Sequence, residues 1–139
     1  MTAPEIPARN DKWLRAVGYG LLAEVATILT IIAIVMVYRY MLARGHTDLE
    51  YASFGRSVGE IVGVVGGTIY TFLFARLLMR SVSSQQVAHG IVVAIAAVAL
   101  SVGGSIAGHQ GVPAAYLLAS ALKIAAGGLA GFMATRSVA

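Results

Sequence analysis

Four long runs of apolar residues alternate with short polar segments along the chain. The first run, from Ala16 to Tyr38, has about 23 residues, which is enough for a helix to cross the ~30 Å hydrocarbon layer of a bilayer. We therefore predict an all-α integral membrane protein, an up-down-up-down four-helix bundle with helices over about residues 11–44, 48–80, 85–108 and 113–136.

Residues that favour helix ends mark these boundaries. Asn10 or Asp11 can cap the first helix, and a glycine at position 45 suits its C-terminal end. Thr47 and Glu50 have the spacing of a capping box for the second helix. The later helices have similar signals, which are Ser83 with Gln86 at capping-box spacing and Pro113 at a first helical position.

The first two predicted helices are longer than a bilayer requires. Each would have about 33 residues and a length of ~50 Å, so we expect this helical hairpin to extend beyond the bilayer. An ion pair between Arg44 and Asp48 is expected near its tip. Aromatic residues at its base are expected to form an interfacial belt, and they are Tyr38, Tyr40, Tyr51 and Phe54.

The amino-acid composition is that expected of a protein surrounded by lipid. Apolar residues make up 58% of the 139 residues and charged residues 12%, whereas a soluble domain has about 25% charged residues. Mean hydropathy is +0.82. We expect one domain over residues 11–139, preceded by a disordered tail over residues 1–10.

The basic residues collect at the helix ends, where anionic lipid headgroups account for the net charge of +4. We therefore expect the lipid bilayer as a partner, and no nucleic acid. One side would hold Arg9, Lys12, Arg15, Arg76, Arg80 and Arg136, and the other Arg39, Arg44 and Arg56. This bias predicts cytoplasmic termini in a multi-pass cell-membrane protein whose composition is compatible with a bacterial inner membrane.

Three ionisable residues lie inside the apolar runs: Glu24, Glu60 and Lys123. Charges in hydrocarbon are costly and usually face one another or water. Counted from the same boundary, Glu24 is ~12 Å deep and Lys123 ~15 Å deep. We therefore expect an ion pair between Glu24 and Lys123, and a second between Glu60 and Arg56. The functional alternative is a carboxylate that exchanges protons or binds a cation.

Glycines recur at every fourth position in the second helix, a pattern typical of a glycine zipper. Small residues at this spacing allow close approach of another backbone, either a helix of the same chain or a second protein. The predicted packing positions across the bundle are Gly55, Gly59, Gly63, Gly67, Gly104, Gly108, Gly127 and Gly131.

The sequence gives little indication of a catalytic, cofactor or metal site. There is no cysteine, and His46, His89 and His109 lack ligand spacing and are expected to be solvated near helix ends. Neither a nucleophile elbow nor a phosphate-binding loop is present. We therefore predict no enzymatic activity, no cofactor and no metal.

One short stretch, Leu22-Ala23-Glu24-Val25, resembles the glutamate-bearing segment of the small multidrug resistance transporters, which also have four spans. The resemblance covers about a dozen residues and implies a transport role for Glu24 alone. Lys123 and the long hairpin depart from that family's pattern.

Two functions therefore remain open. The first is a non-catalytic membrane protein that acts through helix–helix association, as a homo-oligomer or as an accessory subunit of a membrane complex. The second is a small proton- or cation-coupled transporter that uses Glu24 as its intramembrane carboxylate.

Overall fold

The computed structural model describes residues 9–109 and 111–137, and every regular element in these ranges is helical. The described residues form five α-helices, with the bounds α1 Arg9–Val37, α2 Asp48–Ile61, α3 Gly67–Met79, α4 Gln86–Ala107 and α5 Ala114–Arg136. The protein is therefore all-helical over the part that the structure describes.

Two π-helical segments extend these α-helices. Tyr38–Leu42 continues α1, and Val62–Gly66 joins α2 to α3 in one rod. In the part of the chain that the structure describes, four helices are therefore long and apolar enough to cross a membrane, namely Asp11–Leu42, Asp48–Met79, Gln86–Ala107 and Ala114–Arg136. The expected number of long apolar helices is confirmed, and it is consistent with a multi-pass membrane protein.

The turn between α1 and α2 has the predicted capping chemistry. The Thr47 side chain accepts a hydrogen bond from the Glu50 backbone, and the Glu50 side chain accepts from the Thr47 backbone. Gly45 has a φ of +90°, a conformation that glycine adopts without strain. Asp48 pairs with Arg39 of the preceding helical segment at 3.5 Å, so the expected pairing of Asp48 with Arg44 was wrong.

Three predicted helix starts differ from the structure, and at the last of them Pro113 is the N-cap of α5 instead of its first helical residue. Helix α1 already includes Arg9, so neither Asn10 nor Asp11 is its N-cap; residues 1–8 of the expected tail lie outside the described residues. The N-cap of α4 is Gln85, with a φ of 53° and no side-chain cap. Gln86 instead donates from Nε2 to the carbonyl oxygen of Val82 at 2.8 Å.

Buried residues are concentrated in one half of the bundle. Among the described residues, all except Ala43 and Ser105 fall within residues 16–27, 67–97 and 119–134, which we call the packed half. The described parts of residues 28–66 and 98–118 form the open half. Helix α2 and the π-helical segment after it contain no buried residue.

Bare glycine backbones hold α4 against α5 in the packed half. A Cβ added to Gly90 would overlap the carbonyl oxygen of Gly127, and one added to Gly131 would lie 2.5 Å from the carbonyl oxygen of Gln86. Such an approach is possible only without side chains, as expected for helices that associate in lipid.

The predicted packing glycines divide between the two halves. Gly67, Gly127 and Gly131 have close neighbours from other helices. In the open half, a Cβ added to Gly55 would meet only a Val35 methyl group at 3.8 Å. Added Cβ atoms at three further positions meet nothing within 4 Å in the described structure, and these are Gly59, Gly63 and Gly104. Gly108 is exposed.

Candidate functional site: a buried ion pair beside a cavity

A lysine of α5 and a glutamate of α1 form an ion pair inside the bundle. Lys123 Nζ donates a hydrogen bond to Glu24 Oε2 at 2.5 Å. Lys123 is 1% exposed and Glu24 is 5% exposed, so the protein surrounds both groups. Two opposite charges removed from solvent in this way stabilise each other only when their geometry is good and their remaining polar atoms are bonded.

Helix α4 supplies the next bond to the carboxylate. Ser101 Oγ donates to Glu24 Oε1 at 2.7 Å, and Lys123 Nζ lies 3.4 Å from the same hydroxyl oxygen. Each carboxylate oxygen therefore accepts from a protein donor, and the cluster has no net charge when both residues are ionised. The bonds of these three residues connect α1, α4 and α5.

Helix α3 completes the surroundings of the lysine. A Cβ added to Gly67 would lie 2.6 Å from Lys123 Cε and 3.2 Å from Nζ. Thr27 and Thr71 are buried nearby, and their hydroxyls donate to the carbonyl oxygens of Ala23 and Gly67 at 2.9 and 2.7 Å. The threonine hydroxyls are therefore hydrogen-bonded within their own helices. The ion pair is the charged centre where all four long helices meet.

A cavity of about 240 Å³ is lined at one end by Glu24 of this pair and extends into the open half. Glu24 contributes to its lining from the packed half, and Ser101 of α4 and Tyr116 of α5 contribute from the open half. The glycines without close neighbours, Gly59, Gly63 and Gly104, also line it. The space beside the glycine pattern is therefore this cavity instead of another helix of the same chain.

Glu60 lies apart from the ion pair. It is exposed and borders the cavity, and among the described residues it has no basic partner within 4.0 Å. The expected ion pair between Glu60 and Arg56 was wrong. The structure thus brings together two of the three predicted intramembrane charges, and leaves the third at the cavity.

Neither the bond from Ser101 to the carboxylate nor the contact of Gly90 with α5 was predicted from the sequence. Ser101 lies on the same small-residue face of α4 as Gly104, which was the available signal. Gly90 precedes Ala94 and Ala97 at helical spacing, a second stripe of small residues that could have indicated the contact with α5.

His89 also differs from expectation, because it is buried instead of solvated. Its ring stacks on Trp13 of α1 with centroids 4.0 Å apart and planes 16° apart. Nδ1 lies 2.9 Å from the carbonyl oxygen of Gln85, whereas Nε2 has no partner in the described structure. Among the described residues, no three histidine or acidic side chains are grouped as metal ligands.

Comparison with protein-family models, curated proteins and solved structures found no match to this chain. The interpretation of the site therefore depends on its own geometry.

Proposed function

We propose that this chain is a non-catalytic multi-pass membrane protein that acts by associating with another membrane-embedded chain. Its helices would run up-down-up-down, with both termini in the cytoplasm. The observation that carries the proposal is the incomplete packing of the open half, where α2 has no buried residue. Gly59 and Gly63 there line a cavity that the helices of this chain leave unfilled.

Lipid provides no strong hydrophobic drive for helix association, so close backbone approach matters more in a bilayer than in water. The glycines that the chain uses internally, such as Gly90 and Gly127, already have their neighbours. Those of the open half remain accessible to an incoming helix. The incoming helix would belong to a second copy of this chain or to a different membrane subunit.

The ion pair has a structural role in this proposal. Both oxygens of Glu24 accept from protein donors, so the site needs no ligand to satisfy it. Because removal of one partner would leave a buried charge, the pair favours one arrangement of α1, α4 and α5 over alternatives. A defined arrangement keeps the glycine surface of the open half in place for association.

Chemical cross-linking in native membranes tests this proposal. We expect wild-type protein in complexes larger than the 14.4 kDa chain, whose mass distinguishes a second copy from another subunit. Gly63→Leu should reduce the cross-linked fraction at unchanged thermal stability, because a leucine side chain would enter the cavity. Gly18→Leu is the matched control, since an added Cβ there also meets nothing within 4 Å. A wild-type chain that remains monomeric would refute association.

The cavity favours one second candidate, a proton- or cation-coupled transporter. Glu24 would bind the proton or cation, Lys123 would tune its affinity, and Glu60 would provide a second carboxylate at the cavity. In proteoliposomes with an entrapped pH dye, Glu24→Gln should then abolish a proton flux that a pH gradient drives. Flux equal to that of the wild type in the Glu24→Gln variant would remove this candidate.

A further inference from the structure

We propose that a second cavity, between the C-terminal end of α3, the start of α4 and the end of α5, binds the phosphate headgroup of an anionic glycerophospholipid. This cavity has a volume of about 470 Å³. It lies outside the Glu24–Lys123 site and shares no lining residue with it. The inference rests on the proposed function in requiring that the chain be embedded in a membrane with this end of the bundle at the cytoplasmic side.

Two arginines give the cavity its charge. Arg76 and Arg80 both line it, and they are one helical turn apart, or ~6 Å along the axis of α3. Within the described residues, neither guanidinium has an ion pair or a hydrogen bond to protein. Arg76 is half-buried, so its charge lies against protein, and no carboxylate of the described residues compensates it.

The chemistry of guanidinium selects the ligand class. Its planar array of donors matches the oxygens of a phosphate group, and it is less strongly hydrated than a lysine ammonium. Gln86 and Ser137 lie on the same wall, but Gln86 Nε2 already donates to Val82 and the Ser137 hydroxyl already donates to the end of α5, so recognition of a phosphate depends on the two arginines. Basic pockets between helices at the cytoplasmic side of a membrane are a recurrent type of site for acidic lipid headgroups.

The apolar part of the cavity distinguishes a lipid from a free anion. Leu73 and Leu77, one turn before Arg76 and next to it, also line the cavity, and they are 49% and 43% exposed. A glycerophospholipid could place its phosphate at the arginines and its acyl chain along these leucines. Inorganic phosphate would use only the arginines, so its binding would leave the exposed leucines uncovered.

Thermal unfolding of the full chain in a neutral detergent measures the binding. Phosphatidylglycerol should raise the unfolding temperature, and phosphatidylcholine at the same concentration should not. In the double variant Arg76→Gln/Arg80→Gln, we expect affinity for phosphatidylglycerol to fall roughly 30-fold, from the loss of two phosphate-directed charges. The double variant Lys12→Gln/Arg136→Gln removes the same net charge from residues outside the cavity, and should keep most of the affinity.

Three outcomes would overturn this inference. Equal shifts with phosphatidylcholine and phosphatidylglycerol would exclude headgroup recognition, and equal losses in both double variants would reduce the effect to general charge. An equal shift with inorganic phosphate alone would indicate a free-anion site instead of a lipid site. Failure of membrane insertion, which this inference requires, would be seen separately, because the chain would then stay dispersed in water without detergent.

Discussion

The side chain of Lys123 occupies the space that a side chain on Gly67 would need. A Cβ added to Gly67 would lie 2.6 Å from Lys123 Cε. The end of a lysine chain can normally move aside at little cost, but here Nζ is held by Glu24 at 2.5 Å. The ion pair between α1 and α5 therefore requires a residue without a side chain at position 67 of α3.

Gly67→Ala should destabilise the protein for this reason, by about 1–3 kcal/mol, the range for overpacking a well-packed interior. The measurement is thermal or denaturant unfolding in detergent, followed by circular dichroism. Gly63→Ala, four residues earlier in the same rod, is the matched control, because its Cβ would meet nothing within 4 Å. The control should be neutral or gain up to ~1 kcal/mol from helix propensity. Equal effects of the two substitutions would contradict the dependence on Lys123.

Single and double substitutions of the ion pair should be strongly non-additive. Lys123→Met leaves the Glu24 carboxylate buried without its cation, and Glu24→Gln leaves the lysine unpaired; each should cost about 3–5 kcal/mol. The double variant Glu24→Gln/Lys123→Met removes both charges and should recover most of that stability. Unfolding of the wild type, the two single variants and the double variant in one detergent completes a double-mutant cycle. Additive losses would show that the pair is not energetically coupled.

The same variants separate the two candidate functions. A double variant that folds should still form cross-linked complexes if the pair is structural, because the open half is unchanged. A proton- or cation-coupled transporter would lose its flux in that variant, since it lacks the carboxylate.

The partnership of Glu24 with Lys123 could be predicted from the sequence because depth in a helix is simple to count. The rise per residue is nearly constant, and both residues were measured from the same membrane boundary. The structure contains the pair that this count favoured. The rise does not determine the rotation of each helix about its axis, so it could not assign Ser101 to the carboxylate.

The packing partners of the glycines could not be predicted from the sequence in the same way. Glycine at every fourth position permits close packing without driving it, so the spacing is the same whether or not another helix is present. Gly67 contacts Lys123, whereas Gly59 and Gly63 in the same row line a cavity. The π-helical segment Val62–Gly66 lies between these two environments, and no feature of the apolar pattern predicted it.

Gly90, which contacts Gly127, should be one of the positions in the protein that least tolerate substitution. Gly90→Ala would force the backbones of α4 and α5 apart, and we expect a loss of about 3 kcal/mol or failure to fold. Gly104→Ala on the same helix should have little effect, since its Cβ would meet nothing within 4 Å. Unfolding in detergent compares the two, and the yield of monodisperse protein reports folding. Tolerance of Gly90→Ala would contradict the close approach of α4 and α5.

The stacking of His89 on Trp13 should matter more for stability than the polarity of the imidazole. A carbonyl oxygen can only accept, so Nδ1 donates to Gln85, and Nε2 remains buried without a partner in the described structure. His89→Phe keeps a ring against the indole and removes the unpaired nitrogen, at the cost of one hydrogen bond. These opposing terms are each about 1 kcal/mol, so we expect a change below ~1 kcal/mol.

His89→Ala, by contrast, removes the ring and leaves a void beside Trp13, which should cost about 2 kcal/mol or more. His46→Ala is the control, because His46 is an exposed histidine in the turn before α2 and its loss should cost less than ~0.5 kcal/mol. Unfolding in detergent ranks the variants, and tryptophan fluorescence reports the environment of Trp13, the one tryptophan in the chain. If His89→Phe were as damaging as His89→Ala, the imidazole nitrogens would be required and Nε2 would need a partner that this packing does not provide.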